Sequence, residues 1–288
     1  MTPSPRMLES PPGDVRSGWV EKYREQGYLN IPDLLSAATV RRLQAAFDEL
    51  EQQGRLRVGE EELIDHTDII FLHEAFASVL REPRVVDLLT ALLGPRVELY
   101  DTKFINKPLK STGFSSFSWH QDFAFYPHTN QDLLAFAIHL DDEDERSGPV
   151  RLLPGSHRLG PLPHCQDGQF LHHLPQVPPE AERDSVLLTG GAGFVTVHHC
   201  LMVHCSDPKE RYGHRRVAYY DVRAQDNVQL AGYLRRSAGW EVTPRPPGES
   251  RYARFPDGSR IELRGASGRL CDPFGLLASG RGHAGPET

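Results

Sequence analysis

The chain has 288 residues, of which 25% are charged and 39% are hydrophobic, with a formal net charge of −7 at pH 7. This is the composition of an ordinary globular protein, and the acidic balance argues against a nucleic-acid partner, because binding to phosphates requires a basic surface. No apolar run approaches the roughly 18 residues of a membrane-spanning helix, and the four cysteines lack paired CxxC spacing, so we expect no membrane partner and a reducing cytoplasm as the location.

The first third of the chain is predicted to be mostly helical. Residues 1–14 are rich in proline and lack the apolar core of a signal peptide, so we expect a disordered lead-in. Apolar residues at helical spacing, with capping residues and glycine stops, then predict helices and one short strand. The predicted helices span 15–27, 36–53, 71–81 and 83–93, the strand spans 28–31, and an irregular acidic stretch lies at 59–68.

After Gly94 the sequence changes to short apolar runs separated by turns. Such runs, without long helices between them, predict a barrel or jelly roll rather than a parallel sheet. The predicted strands are 97–106, 114–126, 133–141, 149–153, 185–189, 193–198, 200–205 and 215–224.

Two segments lie outside this pattern of strands. The loop 155–184 is too long for a simple hairpin, and loops of that length over a barrel are usually lids or binding loops. In the tail, residues 251–263 predict one more hairpin, and the last ten residues are expected to be disordered.

The stretch around residue 120 contains the first sign of a metal site. His120 and Asp122 lie in a run rich in aromatic residues, which predicts a strand. Because residues two apart on a strand point to the same face, an imidazole nitrogen and a carboxylate oxygen would project side by side. These are two of the three ligands in the facial triad of non-haem Fe(II) oxygenases. A surface histidine beside a solvated aspartate would show the same spacing.

A third ligand and a cationic anchor are found further along the chain. His204 is the candidate for the third ligand, and Arg215 follows it eleven residues later at the start of a strand. Iron held by three protein ligands has positions left for an oxo-acid cosubstrate and O2, and a guanidinium can pair with the far carboxylate of that cosubstrate. Arg216 is the alternative anchor, since the two arginines point to opposite faces and the hydrophobicity of their neighbours does not decide between them.

Several short motifs follow one another in a specific order. They are Trp119-His120-Gln121-Asp122, Asp132-Leu133-Leu134-Ala135 leading to Leu140-Asp141-Asp142, Ser147-Gly148-Pro149, Pro154-Gly155-Ser156-His157, His199 with His204, and Arg215. In order and approximate spacing they resemble the phytanoyl-CoA dioxygenase family, over about residues 15–232 of the chain. The spacing in that family favours Arg215 over Arg216.

The resemblance implies a double-stranded β-helix, that is, a mainly β jelly-roll core with an N-terminal helical layer. It implies one dioxygenase domain at 15–240, with a helical part at 15–94 and the jelly-roll core at 95–232. A lead-in at 1–14 would precede this domain, and a C-terminal extension at 241–288 would follow it.

The resemblance also implies cofactors and roles for individual side chains. The cofactors are Fe(II), 2-oxoglutarate as cosubstrate, and O2. By position, His120, Asp122 and His204 would be the iron ligands, Arg215 the carboxylate anchor, and Gln121 and Lys103 further contacts to the cosubstrate. An aspartate at position 122, where related halogenases have a small residue, favours hydroxylation or desaturation over halogenation.

The predicted function is a dioxygenase that hydroxylates or desaturates a small organic substrate and releases succinate and CO2. Two alternatives stay open. One is a jelly-roll binding or regulatory protein that has lost turnover, against which the intact ligand set argues. The other is a cupin-type metalloenzyme that does not use 2-oxoglutarate, in which Arg215 would have no purpose.

Overall fold

The structure is a computed structural model, and it describes residues 13–56, 64–111, 115–232, 235–247 and 249–262. Most of the expected lead-in, the start of the acidic stretch and the last ten residues lie outside the described residues. Among the helices of the described ranges, none has the length and apolar character needed to cross a membrane.

A layer of helices comes from the first third of the chain. The helices are α1 Gly13–Gln26, α2 Ala37–Gln52, α3 Glu74–Ser78 and α4 Pro83–Leu93, with a short α5 Ala181–Asp184 much later. Helix α2 begins next to the predicted cap, because the Ser36 side chain accepts a hydrogen bond from the Thr39 amide (3.1 Å). On its buried side the Phe47 ring packs against Phe104, with 5.0 Å between centroids. The helical layer therefore covers the outer face of the sheet that contains Phe104.

The strands form antiparallel sheets. In chain order they are β1 Tyr28–Ile31, β2 Ile64–Thr67, β3 Val97–Asn106, β4 Phe117–His120, β5 Leu133–His139, β6 Val150–Leu152, β7 Cys165–Gln166, β8 Gln169–Phe170, β9 Val186–Leu187, β10 Val195–His199, β11 His204–Ser206, β12 Arg216–Ala224, β13 Trp240–Glu241, β14 Tyr252–Arg254 and β15 Arg260–Glu262.

A larger and a smaller sheet make up the core. The larger sheet has the order β1-β10-β5-β12-β3-β13, with β2 added to β3, and the smaller sheet has the order β4-β11-β6-β9. All these pairings are antiparallel. Side chains of both sheets line one cavity, which therefore lies between them. The predicted mainly β jelly roll with a helical layer is confirmed.

The structure differs from the predicted elements at places where the chain turns sharply. The predicted strand 114–126 stops at His120 and gives way to a single 3-10 turn at Asp122–Ala124. The predicted strand 200–205 begins only at His204, after a turn at 200–201. The long loop 155–184 contains the hairpin β7–β8 and helix α5, and β2 occupies the end of the acidic stretch.

Candidate metal centre and active-site cavity

Three side chains converge at one end of the smaller sheet. His120 ends β4 and His204 begins β11, and the two residues are direct partners in the antiparallel pair. The Nε2 atoms of both lie 3.8 Å from Oδ1 of Asp122, and one ligand atom from each residue lies within 4.8 Å of the others. Asp122 reaches this position from the 3-10 turn, not from the strand on which it was predicted.

Backbone hydrogen bonds orient both imidazoles. The Nδ1 of His120 lies 2.7 Å from the Ser118 carbonyl, and the Nδ1 of His204 lies 3.0 Å from the Met202 carbonyl. Because a carbonyl only accepts, each Nδ1 is the protonated nitrogen and each Nε2 directs its lone pair towards Asp122. This is the tautomer that a metal ligand needs.

The protonation states suit a divalent cation. Burial lowers the pKa of both His120 and His204, so their imidazoles are neutral at pH 7. Burial alone would raise the pKa of Asp122, but His204, His198 and His120 outweigh it and hold that pKa well below its usual range. Two neutral imidazoles and one carboxylate are the deprotonated forms that metal binding requires.

Arg215 and Arg216 leave the chain on opposite sides of the larger sheet. Arg215 is 2% exposed, lines the cavity between the sheets, and donates from Nε to Glu143 (3.1 Å). Arg216 pairs on the outer side with Asp141 (2.7 Å) and Asp48 (2.8 Å). Of these two arginines, only Arg215 is therefore placed to bind a ligand in the cavity.

The Arg215 guanidinium has a free donor. Its Nη2 is buried and has no hydrogen-bond partner among the described residues. A buried donor left without an acceptor is costly, so such an atom indicates a ligand or water that completes the site. The cavity of about 100 Å³ that it lines is also lined by the three converging side chains, an arrangement that fits a small carboxylate between a metal ion and the arginine.

Glu143 and His139 hold Arg215 in place, and neither residue was predicted from the sequence to belong to the site. The Nδ1 of His139 lies 2.6 Å from Oε1 of Glu143, whose Oε2 accepts from Arg215. Burial raises the pKa of Glu143, but Arg215 and His139 lower it by more, so this carboxyl stays ionised. A buried triad of this kind fixes the direction of the guanidinium.

The two other predicted cosubstrate contacts have different surroundings. Lys103 lines the cavity, with its Nζ 3.4 Å from Asp221. The Gln121 side chain instead donates to the carbonyls of Gly160 (3.0 Å) and Leu201 (2.8 Å). Its carbonyl accepts from the Leu162 amide, so its polar atoms are used in joining loops. The structure does not bring Gln121 to the cavity, and we withdraw it as a cosubstrate contact.

Comparison with known proteins agrees with this geometry. The family model described as phytanoyl-CoA dioxygenase matches residues 23–217. The chain belongs to the phytanoyl-CoA dioxygenase family.

Relatives of this family member are named for related reactions. It is 32% identical over 234 residues to a probable alpha-ketoglutarate-dependent hypophosphite dioxygenase of Stutzerimonas stutzeri, covering 73% of this chain and 79% of the relative. It is 29% identical over 212 residues to an L-proline trans-4-hydroxylase of Streptomyces griseoviridis, covering 64% and 78%. An ectoine dioxygenase of Stutzerimonas stutzeri strain A1501 is 26% identical over 268 residues, covering 83% and 84%.

Solved structures share the fold. The α-ketoglutarate-dependent carbocyclase SnoK has a TM-score of 0.62 at 24% identity, covering 75% of this chain and 86% of its own. EctD from S. alaskensis with 2-oxoglutarate and 5-hydroxyectoine has a TM-score of 0.62 at 20% identity, covering 84% and 85%. The predicted reaction class, a dioxygenase that uses Fe(II), 2-oxoglutarate and O2, is confirmed for this phytanoyl-CoA dioxygenase family member.

One polar residue of the site has no counterpart in the sequence predictions. His198 is 3% exposed and lines the cavity. Its Nε2 lies 3.1 Å from Oδ2 of Asp122, whereas the imidazoles of His120 and His204 face Oδ1. The neighbouring His199, part of the family motif, instead packs beside Tyr23 and His157. Alternation along β10 places the two histidines on opposite faces of the strand. Which of them faces the cavity follows only from the pairing of that strand with its neighbours.

Replacing His198 by alanine is expected to weaken Fe(II) binding by about 10- to 100-fold, because Asp122 loses the donor that orients its carboxylate. His198→Asn should restore part of the affinity by donating from its amide. Titration of the purified apoprotein with Fe(II) under anaerobic conditions measures this. His199→Ala, on the opposite face of the same strand, is the control, and an unchanged affinity in His198→Ala would contradict the role.

The Pro-Gly-Ser-His turn at 154–157 joins helix α1 to the segment of His204. The Gly155 amide donates to the carbonyl of the last residue of α1 (2.8 Å), and the Ser156 hydroxyl accepts from the Val203 amide (2.8 Å). Gly27, after the helix, has a φ of +79°, and a Cβ there would collide with Met202 and His157. The helix end, the turn and the ligand segment are therefore packed as one unit.

Proposed function

We propose that His120, Asp122 and His204 hold Fe(II) and that Arg215 holds the far carboxylate of 2-oxoglutarate. The observation that carries this proposal is the buried Nη2 of Arg215, which has no partner among the described residues and belongs to the same cavity as the ligand atoms. A guanidinium can donate two parallel hydrogen bonds to a carboxylate. The hydrogen bond from Arg215 to Glu143 orients the guanidinium for this interaction.

Lys103 is proposed as a second cation for the cosubstrate. It projects from β3 opposite Tyr219 of β12, and both residues line the cavity together with Arg215. Lys103 and Arg215 thus enter the cavity from neighbouring strands. Two cations in a cavity screened from water compensate the two negative charges of 2-oxoglutarate more strongly than they would in solvent.

When bound, Fe(II) supplies the chemistry by which O2 oxidises the substrate while 2-oxoglutarate is converted to succinate and CO2. The chain contributes binding, orientation and exclusion of water. His198 holds the Asp122 carboxylate in position, and the bonds from Nδ1 of His120 and His204 fix the imidazole planes. Glu143 keeps the Arg215 guanidinium charged and aimed into the cavity.

The substrate is proposed to be a small polar molecule. The cavity has a volume of about 100 Å³, which suits small ligands. Relatives are named for hypophosphite, L-proline and ectoine, all of them small. Hydroxylation or desaturation of such a molecule is the proposed reaction. The cysteines in the described part of the chain, Cys165, Cys200 and Cys205, are free, which supports the proposed cytoplasmic location.

Purified protein supplied with Fe(II), 2-oxoglutarate and air is expected to form succinate, slowly without substrate and faster with it. The assay compares hypophosphite, L-proline and ectoine with no addition, and an iron chelator serves as the control. Stimulation by one of these compounds would identify the substrate type. Absence of iron-dependent succinate in every mixture would contradict the proposed function.

A further inference from the structure

Two carboxylates lie on the inner face of the larger sheet, level with the metal centre. Asp221 of β12 is the direct partner of Asp101 on β3 and of Ala135 on β5, and Ala135 in turn is the partner of His198. Directly paired residues of antiparallel strands place their side chains on the same face. The row Asp101-Asp221-Ala135-His198 therefore ends at the histidine that contacts Asp122.

Both carboxylates are buried and incompletely paired. Asp221 is 2% exposed, lines the cavity, and has Lys103 at 3.4 Å, which is long for a charge-assisted hydrogen bond. Asp101 is 3% exposed and accepts from Arg235 through Oδ2 (3.1 Å), while its Oδ1 is buried without a partner among the described residues. Burying a carboxylate is costly unless a cation and hydrogen bonds compensate it.

Counted together, the residues that line the cavity and their ion-pair partners carry an excess of negative charge. Within the described part of the chain, the cavity and the ion-pair partners beside it contain fewer cations than carboxylates: Lys103, Arg215 and Arg235 against Asp101, Asp122, Glu143 and Asp221. Fe(II) and the 2-oxoglutarate dianion cancel each other, so one negative charge stays uncompensated. The nearby Lys107 adds little, since burial lowers its pKa to about 6.

The missing positive charge is the one beside Asp221, because Lys103 is assigned to the cosubstrate. If Lys103 turns towards 2-oxoglutarate, Asp221 loses the cation at 3.4 Å. Burial raises the pKa of Asp221 to about 7, and of the charges around it Lys103 lowers this pKa while Asp101 raises it. In the protein without ligands, a proton bound to Asp221 therefore neutralises part of the excess negative charge. A cationic ligand would replace this proton.

Aromatic rings lie beside the candidate metal centre. Burial raises the pKa of the Tyr126 phenol, and Asp122 and Asp221 are close enough to raise it further. Phe125, next to it, packs its ring against the ligand His120 (5.5 Å) and against Phe170 of the β7–β8 hairpin (5.3 Å). The faces of aromatic rings attract cations, so the rings beside the metal centre favour the same charge as the inner row of carboxylates.

We propose that the substrate carries a protonated nitrogen, an amine or amidine cation, and that Asp221 pairs with this nitrogen to place the substrate beside the metal centre. The inference rests on the proposed function, because it takes Lys103 and the iron site as assigned there. Asp221 is a binding residue in this scheme, and Phe170 is an outer contact on the hairpin.

Matched compounds test the inference with the wild-type protein. Small cyclic and acyclic amino acids are compared with their N-acetyl derivatives, which lack the cationic nitrogen, and with small anions of similar size. We expect the compounds that stimulate succinate release to be cationic at nitrogen, and N-acetylation to remove the stimulation. Stimulation by anions or neutral compounds alone, or by no cationic compound, would overturn the inference.

Variants test Asp221 itself. Asp221→Asn keeps the shape of the side chain and should raise the KM of a stimulating amine by about 30-fold or more, as for a buried charge that loses its partner. Asp141→Asn, a carboxylate on the outer side of the sheet, is the control and should leave that KM unchanged. Should Asp221→Asn fail to fold, Phe170→Ala at a 39% exposed position should raise the same KM about fivefold. An unchanged KM in whichever of these variants folds would overturn the inference.

Failure of this inference can be told apart from failure of the proposed function. The visible charge-transfer absorption of Fe(II) with 2-oxoglutarate, measured without oxygen and without substrate, reports the iron and cosubstrate site alone. If this absorption forms but only anions stimulate turnover, the substrate class is wrong and the iron site stands. If it does not form, the proposed function fails first.

Discussion

Replacing His120 or His204 by alanine is expected to abolish Fe(II)-dependent succinate release while the protein stays folded. Each substitution removes one of three ligand atoms that lie within 4.8 Å of one another, and two ligands hold a divalent ion poorly. Residual activity should be below about a tenth of wild type, which corresponds to a loss of about 1.4 kcal/mol or more in transition-state stabilisation. Succinate formation and the iron content of the purified variants measure the effect.

His173→Ala is the matched control for these variants, because His173 is exposed and outside the metal centre. It should keep wild-type turnover and iron content. Circular dichroism should show the same secondary structure for all three variants. A His120→Ala or His204→Ala enzyme with more than about a tenth of wild-type activity would show that the residue is not an essential ligand.

Removing the guanidinium of Arg215 is expected to raise the KM for 2-oxoglutarate by about 30- to 4,000-fold. The far carboxylate would then be buried without a partner, and truncating one side of a buried charge pair costs about 2–5 kcal/mol. Glu143 would lose its cation as well, since its Oε2 is bonded to Arg215. Arg215→Lys should restore only part of the affinity, because an ammonium lacks the two parallel donors. Initial rates at varied 2-oxoglutarate, with iron binding measured separately, give the result.

Arg216→Ala is the internal control for that experiment. Arg216 pairs with Asp141 and Asp48 on the outer side of the sheet, so its loss should lower the melting temperature without changing the KM for 2-oxoglutarate. A large change in KM at Arg216 together with none at Arg215 would contradict the proposed anchor.

Long, regular elements could be predicted from the sequence. Strand β3 has the predicted bounds, 97–106, because a run rich in β-branched and aromatic residues follows Gly94 and Pro95. Helices α2 and α4 have capping residues and an apolar face, which can be recognised from the spacing of residues along the sequence. The three residues that meet at the metal centre were likewise found from local motifs and the family resemblance, since each motif is contained in a few consecutive residues.

The predictions that needed correction depend on contacts between distant parts of the chain. Asp122 was predicted on a strand, but the chain turns after His120, and the carboxylate still reaches the imidazoles from the turn. Gln121 lies between two site residues, yet its side chain points to loops near Gly160 and Leu201. The role of His198 follows from the pairing of β10 with β5, which no local pattern encodes.

The packing of helix α1 against the 154–157 turn has a thermodynamic consequence. The helix end binds the Gly155 amide and the same turn binds the Val203 amide, next to the ligand His204. Docking of the helix and ordering of His204 are thus linked equilibria, and a linkage of this kind acts equally in both directions. An ion that fixes His204 also favours the docked helix. Helix α1, remote from the ligands in sequence, thereby shares in the free energy of metal binding.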